Sequence, residues 1–173
     1  MKTSREAEIF DIPPTGLGTS GKRGDIGLQA MIDALEIGYW HIDTAQSYGN
    51  EGRVGQAIAQ SGIPRSDICF TTKIAGPELS GSRLAASLRR SLDLLTDFVD
   101  LALVHWPGRD AASGLPEYVE ALAQVHTDGL ARHIGVSNFN KTLIDEAIAV
   151  VGTGVIVNNQ VEVHPFLQNG PLR

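Results

Sequence analysis

Tyr39-Trp40-His41-Ile42-Asp43, Ile68-Cys69-Phe70-Thr71-Thr72-Lys73 and Val99-Asp100-Leu101-Ala102-Leu103-Val104-His105 decide the fold. Each is a short, mostly apolar run that finishes on a charged or titratable residue. Two further runs, 133–136 and 155–160, lead to Ser137 with Asn138 and to Gln160, and a weaker one lies around 15–19. Between them stand stretches with apolar residues at helical spacing, at 25–37, 51–60, 80–96, 115–127 and 141–150. Ser80 and Asn140 suit helix N-caps, and Gly62 and Gly129 stand where helices should stop. Strand and helix alternating at short intervals is the pattern of parallel βαβ units. Runs that are apolar almost throughout suit strands covered on both faces.

A doubly wound sheet and a (β/α) barrel share that pattern. The polar residues separate them. Asp43, Lys73, His105, Ser137 with Asn138, and Gln160 fall at or just past the C-terminal ends of successive strands, about one βα unit apart. In a barrel those ends converge on one face, where the active site lies. A doubly wound sheet would spread them along an edge, and would carry a glycine-rich phosphate loop after its first strand. Gly16-Leu17-Gly18-Thr19-Ser20-Gly21 has that outline, but Lys22 to Gly24 read as loop, not as the start of a helix. The expected fold is therefore α/β, of the (β/α)8 TIM-barrel type. It is incomplete, with about six of the eight strands a full barrel needs. The chain ends just after the sixth strand, so it reads as one domain over residues 1–173 that lacks its C-terminal part.

Composition narrows the function. A net charge of −6 over 173 residues argues against nucleic-acid or acidic-membrane partners. The single cysteine, Cys69, cannot form an internal disulfide, and as a mid-strand residue it is expected to be buried and inert. No apolar run approaches the ~20 residues of a membrane span. The first ten residues lack the apolar core of a signal peptide, so the expected location is cytoplasmic. No His, Cys and Asp cluster has metal-ligand spacing.

Around the second strand the chain reads Ile42-Asp43-Thr44-Ala45-Gln46-Ser47-Tyr48-Gly49-Asn50-Glu51, then Val54-Gly55. Thr72-Lys73, Val104-His105-Trp106-Pro107, Ile134-Gly135-Val136-Ser137-Asn138-Phe139 and Asn159-Gln160-Val161-Glu162 follow in order. This series resembles the signatures of the aldo-keto reductases from about Pro13 to Gln168, with Pro13-x-x-Gly16-Leu17-Gly18-Thr19 similar to the family's first strand. Within the family, 42–48 and 165–169 are most similar to bacterial 2,5-diketo-D-gluconate reductases, which also reduce methylglyoxal-like aldehydes.

The resemblance implies NADPH-dependent reduction of a small aldehyde or ketone to an alcohol. Asp43, Tyr48, Lys73 and His105 would be the catalytic set. Thr19, Asp43, Thr44, Ser137, Asn138 and Gln160 would bind the cofactor. Tyr48, His105 and Trp106 would meet the substrate. The chemistry suits the residue types. Reduction of a carbonyl needs a hydride on one side and a proton at the oxygen. Tyrosine is a poor acid at neutral pH, and a nearby cation such as Lys73 favours its phenolate. Asp43 would hold the lysine, and His105 would orient the substrate oxygen or share the proton transfer.

Each residue alone admits a plainer reading. Asp43 and Lys73 could be a barrel ion pair, Tyr48 a loop residue, and His105 and Trp106 core residues. Ser137, Asn138 and Gln160 could satisfy loop backbone. His41 should point into the barrel with Asp43, and His164 reads as structural. A Schiff-base role for Lys73 is disfavoured by Asp43 beside it.

The sequence departs from the family in three places. Trp40 replaces a usual arginine and should face the helices. Ala75 stands where an aromatic residue is usual, which should open the substrate pocket. Nothing matches the basic segment that grips the cofactor's phosphates. A six-stranded partial barrel would also leave two strand edges and an apolar interior exposed. Self-association through those edges is therefore expected, and a non-catalytic remnant acting by binding or assembly is the rival reading.

Overall fold

Six strands pair side by side in chain order without a reversal: β1 (Leu17–Gly18), β2 (His41–Asp43), β3 (Cys69–Ile74), β4 (Val99–Val104), β5 (Ala131–Ser137) and β6 (Ile156–Gln160). All five pairings are parallel. A doubly wound sheet reverses its strand order at the switch point, so the unbroken order is that of a (β/α) barrel. The computed structural model describes residues 12–95, 98–108 and 113–172. The residues of the N-terminal reading, 1–10, and the last helical position expected before the fourth strand, Thr96, lie outside them.

Between the strands run α1 (Gly24–Glu36), α2 (Glu51–Ser61), α3 (Leu84–Leu95), α4 (Leu115–Thr127) and α5 (Lys141–Val151). Asn140 caps α5, its side-chain oxygen accepting from the Leu143 N–H at 2.9 Å. Gly62 follows α2 in the left-handed conformation. Gly129, also left-handed, stands one residue past the Asp128 that ends α4. Ser80 caps differently from expectation. Its hydroxyl accepts from Arg83 N–H at 3.3 Å, but α3 proper begins only at Leu84. None of the helices among the described residues is long and apolar enough to cross a membrane.

Strand alternation sends side chains to opposite faces of the sheet. Ile42, Phe70, Ala102, Val104, Ile134 and Val136 pack in one cluster with apolar residues of all five helices. The other face looks into the barrel. There His41 Nε2 lies 3.1 Å from Thr71 Oγ1, as its shared parity with Asp43 predicts. Leu101 and Leu103 are buried on that face too. The sheet is strongly curled. In a flat sheet β2 and β6 would lie about 19 Å apart at four inter-strand spacings. Instead, the Gln160 amide donates to Asp43 Oδ2 at 2.7 Å. Among the described residues β1 and β6 do not pair with each other, so the six strands form an open arc of the barrel.

Two expectations need correction. Trp40 precedes β2 and is 47 % exposed, so on whichever face it lies the helical layer does not bury it. Cys69 is the first residue of β3, not mid-strand, and is only half-buried. Burial and the Asp100 carboxylate still push its thiol up to about 11, which keeps it unreactive.

Gly55 shows why the Val54-Gly55 pair matters. A Cβ there would lie 2.1 Å from the Leu94 carbonyl oxygen, a backbone atom of α3. At Gly52, one turn earlier on the same helix, the nearest atom would be a Leu94 methyl at 3.9 Å. Gly55→Ala should therefore lower the unfolding free energy by about 1–3 kcal/mol through overpacking. Gly52→Ala should leave it at or above wild type, because alanine favours helix over glycine. Urea denaturation of the two variants checks the contrast.

Candidate active site

Asp43 closes β2, and Lys73 stands one residue from the end of β3. In the parallel register Asp43 faces Thr71, so Lys73 reaches past it toward the barrel mouth. The lysine is 1 % exposed. Its ammonium donates to Asp43 Oδ1, to the Thr44 carbonyl at 3.0 Å and to Tyr48 Oη at 3.5 Å. These three acceptors match its three protons, which a buried ammonium requires. Asp43 Oδ2 is taken by Gln160, so both carboxylate oxygens are engaged.

Tyr48 ends a short 3-10 turn, 46–48, which left-handed Gly49 terminates. Two polar clusters pin that turn. On one side Thr19 donates to Thr44 (2.8 Å) and Thr44 to Asn50 (3.3 Å). The Asn50 amide in turn holds the carbonyls of Thr19 and Lys22. On the other side Gln46 accepts from Ala75 N–H at 2.9 Å and donates to Ser87 and Ser91. Ser91 and Thr72 donate to the buried carboxyl of Glu51. Burial pushes the Glu51 carboxyl above the ordinary glutamate range, and those two hydroxyls partly offset it.

His105 follows β4 directly. Its N–H donates to the Ile74 carbonyl at 3.1 Å, and its own carbonyl accepts from Asn138 Nδ2 at 2.9 Å. The ring meets Tyr48 edge to face, with centroids 5.7 Å apart. Its Nδ1 lies 3.2 Å from Ser47 Oγ. Burial and the nearby Lys73 charge hold this imidazole below the ordinary histidine range, against the opposing pull of Asp43. Burial and the Lys73 charge both favour the neutral ring.

Asp43, Tyr48, Lys73 and His105 thus meet at one rim. Ser137, Asn138 and Gln160 stand beside them. The Ser137 hydroxyl donates to the Gln160 carbonyl at 2.9 Å, and Asn138 sits at φ 63°, a conformation uncommon outside glycine. With Asp43 and His41 these three line a cavity of about 630 Å³ that opens between β1 and β6. Thr19 and Thr44 lie apart from it, fully buried and bonded to each other. Trp106 is 60 % exposed, which removes the core-packing reading, and lines a separate cavity with Leu167 and Leu172. His164 lies in an exposed turn paired with Glu162 at 3.0 Å. Among the described residues no group of three or more His, Cys, Asp or Glu could hold a metal ion.

Sequence reasoning assigned no role to Ser47, Gln46 or Glu51. Gln46 and Glu51 sit inside the quoted motif, but their partners lie on β3 and α3, and no local spacing exposes such partners.

The aldo/keto reductase family profile matches residues 22–172. The chain belongs to that family. It is 48 % identical over 159 residues to methylglyoxal reductase DkgB of Salmonella typhi, covering 91 % of this chain and 60 % of that protein. An aldo-keto reductase of Mycolicibacterium smegmatis is 42 % identical over 166 residues, 94 % of this chain and 57 % of the relative. The chain thus spans about 60 % of the length of the curated relatives it matches. A crystal structure of a putative 2,5-diketo-D-gluconic acid reductase B superposes with a TM-score of 0.85 at 44 % identity, over 91 % of this chain and 55 % of that one. An aldo-keto reductase of Bombyx mori in complex with NADP superposes at 0.82 and 36 % identity, over 93 % of this chain and 58 % of that one.

The two half-buried histidines, His41 and His105, make a pH prediction. Burial also lowers the proton affinity of His41. Between the lowered folded values and the ordinary value of about 6.5, the unfolded chain binds more protons than the folded one. Stability contributed by these rings is thus present above that window and lost on acidification through it. Glu51 acts in the opposite sense, because its raised carboxyl favours the fold when protonated. Comparing wild type with the His41→Gln, His105→Gln double variant isolates the histidines. The drop in urea midpoint between about pH 7.5 and about pH 5 should be smaller in the variant.

Proposed function

We propose that this chain, as one domain, carries the reaction centre of an NADPH-dependent reductase that turns a small aldehyde or ketone into an alcohol. The single observation that carries this reading is the lysine ammonium that touches both Asp43 and Tyr48 Oη, with the His105 ring against the same tyrosine. A cation held by a carboxylate beside a phenol favours the phenolate product of proton donation. The relatives named for methylglyoxal reduction support a small carbonyl substrate, and the reading takes the enzyme to be cytoplasmic.

The residues fit the nicotinamide end of the cofactor. Asn138 Oδ1 and Gln160 Oε1 accept no hydrogen bond among the described residues, while their amide N–H groups donate to the His105 carbonyl and Ser137, and to Asp43. They could accept from a carboxamide, and the Ser137 hydroxyl stands beside them. Asp43 would shape the ribose side, with Thr19 and Thr44 buried behind it as its support and out of reach of the cofactor. Among the described residues no lysine or arginine lines the 630 Å³ cavity, so the phosphates find no cationic partner among these walls. A bound nicotinamide supplies the hydride. The protein's own part is to place the carbonyl oxygen between Tyr48 Oη and the His105 ring, where Tyr48 gives up its proton. Lys73 and Asp43 hold the resulting charge, and Trp106 would wall the substrate. The open β6 edge, with Val157 42 % exposed, supports self-association.

The rival reading, a chain that binds or assembles without turnover, draws on the lack of cationic cavity walls. A fluorescence titration with NADPH, followed by NADPH consumption with methylglyoxal, separates the two. Saturable binding and turnover are expected, and no saturation at about millimolar cofactor would defeat the enzyme reading. Tyr48→Phe should bind cofactor normally and lose roughly 10²- to 10⁴-fold in kcat. Retained turnover would remove Tyr48 from the acid role.

A further inference from the structure

We propose that Ser47 is a positioning residue that sets the tautomer of His105, keeping the proton on Nε2 and the lone pair on Nδ1. The inference rests on the reductase reading for its purpose, but its geometry stands apart from it. A neutral imidazole carries one proton, and the partner of one nitrogen decides which nitrogen has it. Ser47 Oγ, 3.2 Å from Nδ1, is the hydrogen-bond partner of that ring among the described residues. The backbone N–H and carbonyl of His105 are already tied to Ile74 and Asn138, so the ring pivots on a fixed main chain.

The substrate side of the ring must present a donor. A carbonyl oxygen only accepts hydrogen bonds, and so does the alkoxide that forms from it. A ring with its proton on Nδ1 would turn a lone pair toward that oxygen and repel it. A serine hydroxyl can donate to a ring nitrogen or accept from its N–H, and the role assigned to Ser47 is that of donor to Nδ1, which removes this state. Serine can donate here because its neighbours leave it free. Gln46 turns the other way to Ala75, Ser87 and Ser91, and Tyr48 turns to Lys73. Other charged and titratable groups facing the ring are Lys73 and Asp43, which act on it through space. Neither bonds a ring nitrogen, so among the described residues the direct bond to the ring is that of Ser47.

The test is ¹⁵N NMR of the imidazole nitrogens in the full chain, with the His105 signals assigned by their loss in His105→Gln. Wild type at about pH 8 should show Nε2 protonated and Nδ1 bare. Ser47→Ala should shift His105 toward a tautomer mixture, and Ser47→Thr, which keeps a hydroxyl, should restore the wild-type pattern. Folding of each variant is read from the other histidine signals in the same spectra. A wild-type ring protonated on Nδ1, or an unchanged pattern in Ser47→Ala, would overturn the proposal. In the kinetic arm Ser47→Ala should lose about 3- to 10-fold in kcat with little change in KM, regained in Ser47→Thr. If wild type shows no turnover, the reductase reading fails while the NMR arm still decides the role of Ser47.

Discussion

A buried ammonium is costly unless every proton on it finds a partner. Lys73 meets that demand with Asp43, the Thr44 carbonyl and Tyr48, and most of the site's geometry follows from having to assemble those three acceptors. Two come from the end of β2 and the residue after it. The third comes from a turn that must fold back over the strand end. The Thr19, Thr44 and Asn50 bonds, and the Gln46 bonds to Ala75 and α3, hold that turn in place. Loosening either cluster would move the Tyr48 oxygen away from the Lys73 ammonium.

The same constraint explains the arrangement of polar groups behind the site. Glu51 lies buried without a cation, held by two hydroxyls, on the far side of β3 from Lys73. Thr72 and Lys73 are adjacent, so alternation sends one to the helix layer and the other into the barrel. One strand thus carries a neutral-leaning carboxyl contact on one face and an ion pair on the other.

Much of this was legible in the sequence because it is written in strand endings. Asp43, Lys73, His105, Ser137 and Gln160 each fall at the end of an apolar run, and parallel strands in chain order bring such ends together. The five helices follow from their apolar spacing, with ends shifted by a residue or a few. The turn at 46–48 was harder to read. Ser47 looks like any loop serine, and its partner lies 58 residues away. Trp40 misled because alternation predicts a direction but not whether anything packs there. At the N-terminal end of β2 it is left 47 % exposed. Ser80 misled for a related reason, since a cap can close a turn that leads into a helix.

The bond from Gln160 to Asp43 spans 117 residues. Closing a loop of that length costs about 4 kcal/mol in chain entropy, against the short closures within each βα unit. The ion pair of β2 and β3 can therefore form early, from neighbours only 30 residues apart, with water on the second carboxylate oxygen. That oxygen gains its protein partner only when β6 docks on β5. Completion of the site is in this sense a late event in folding, and the edge strand of the arc, though remote in sequence from the lysine, acts as its final fastening.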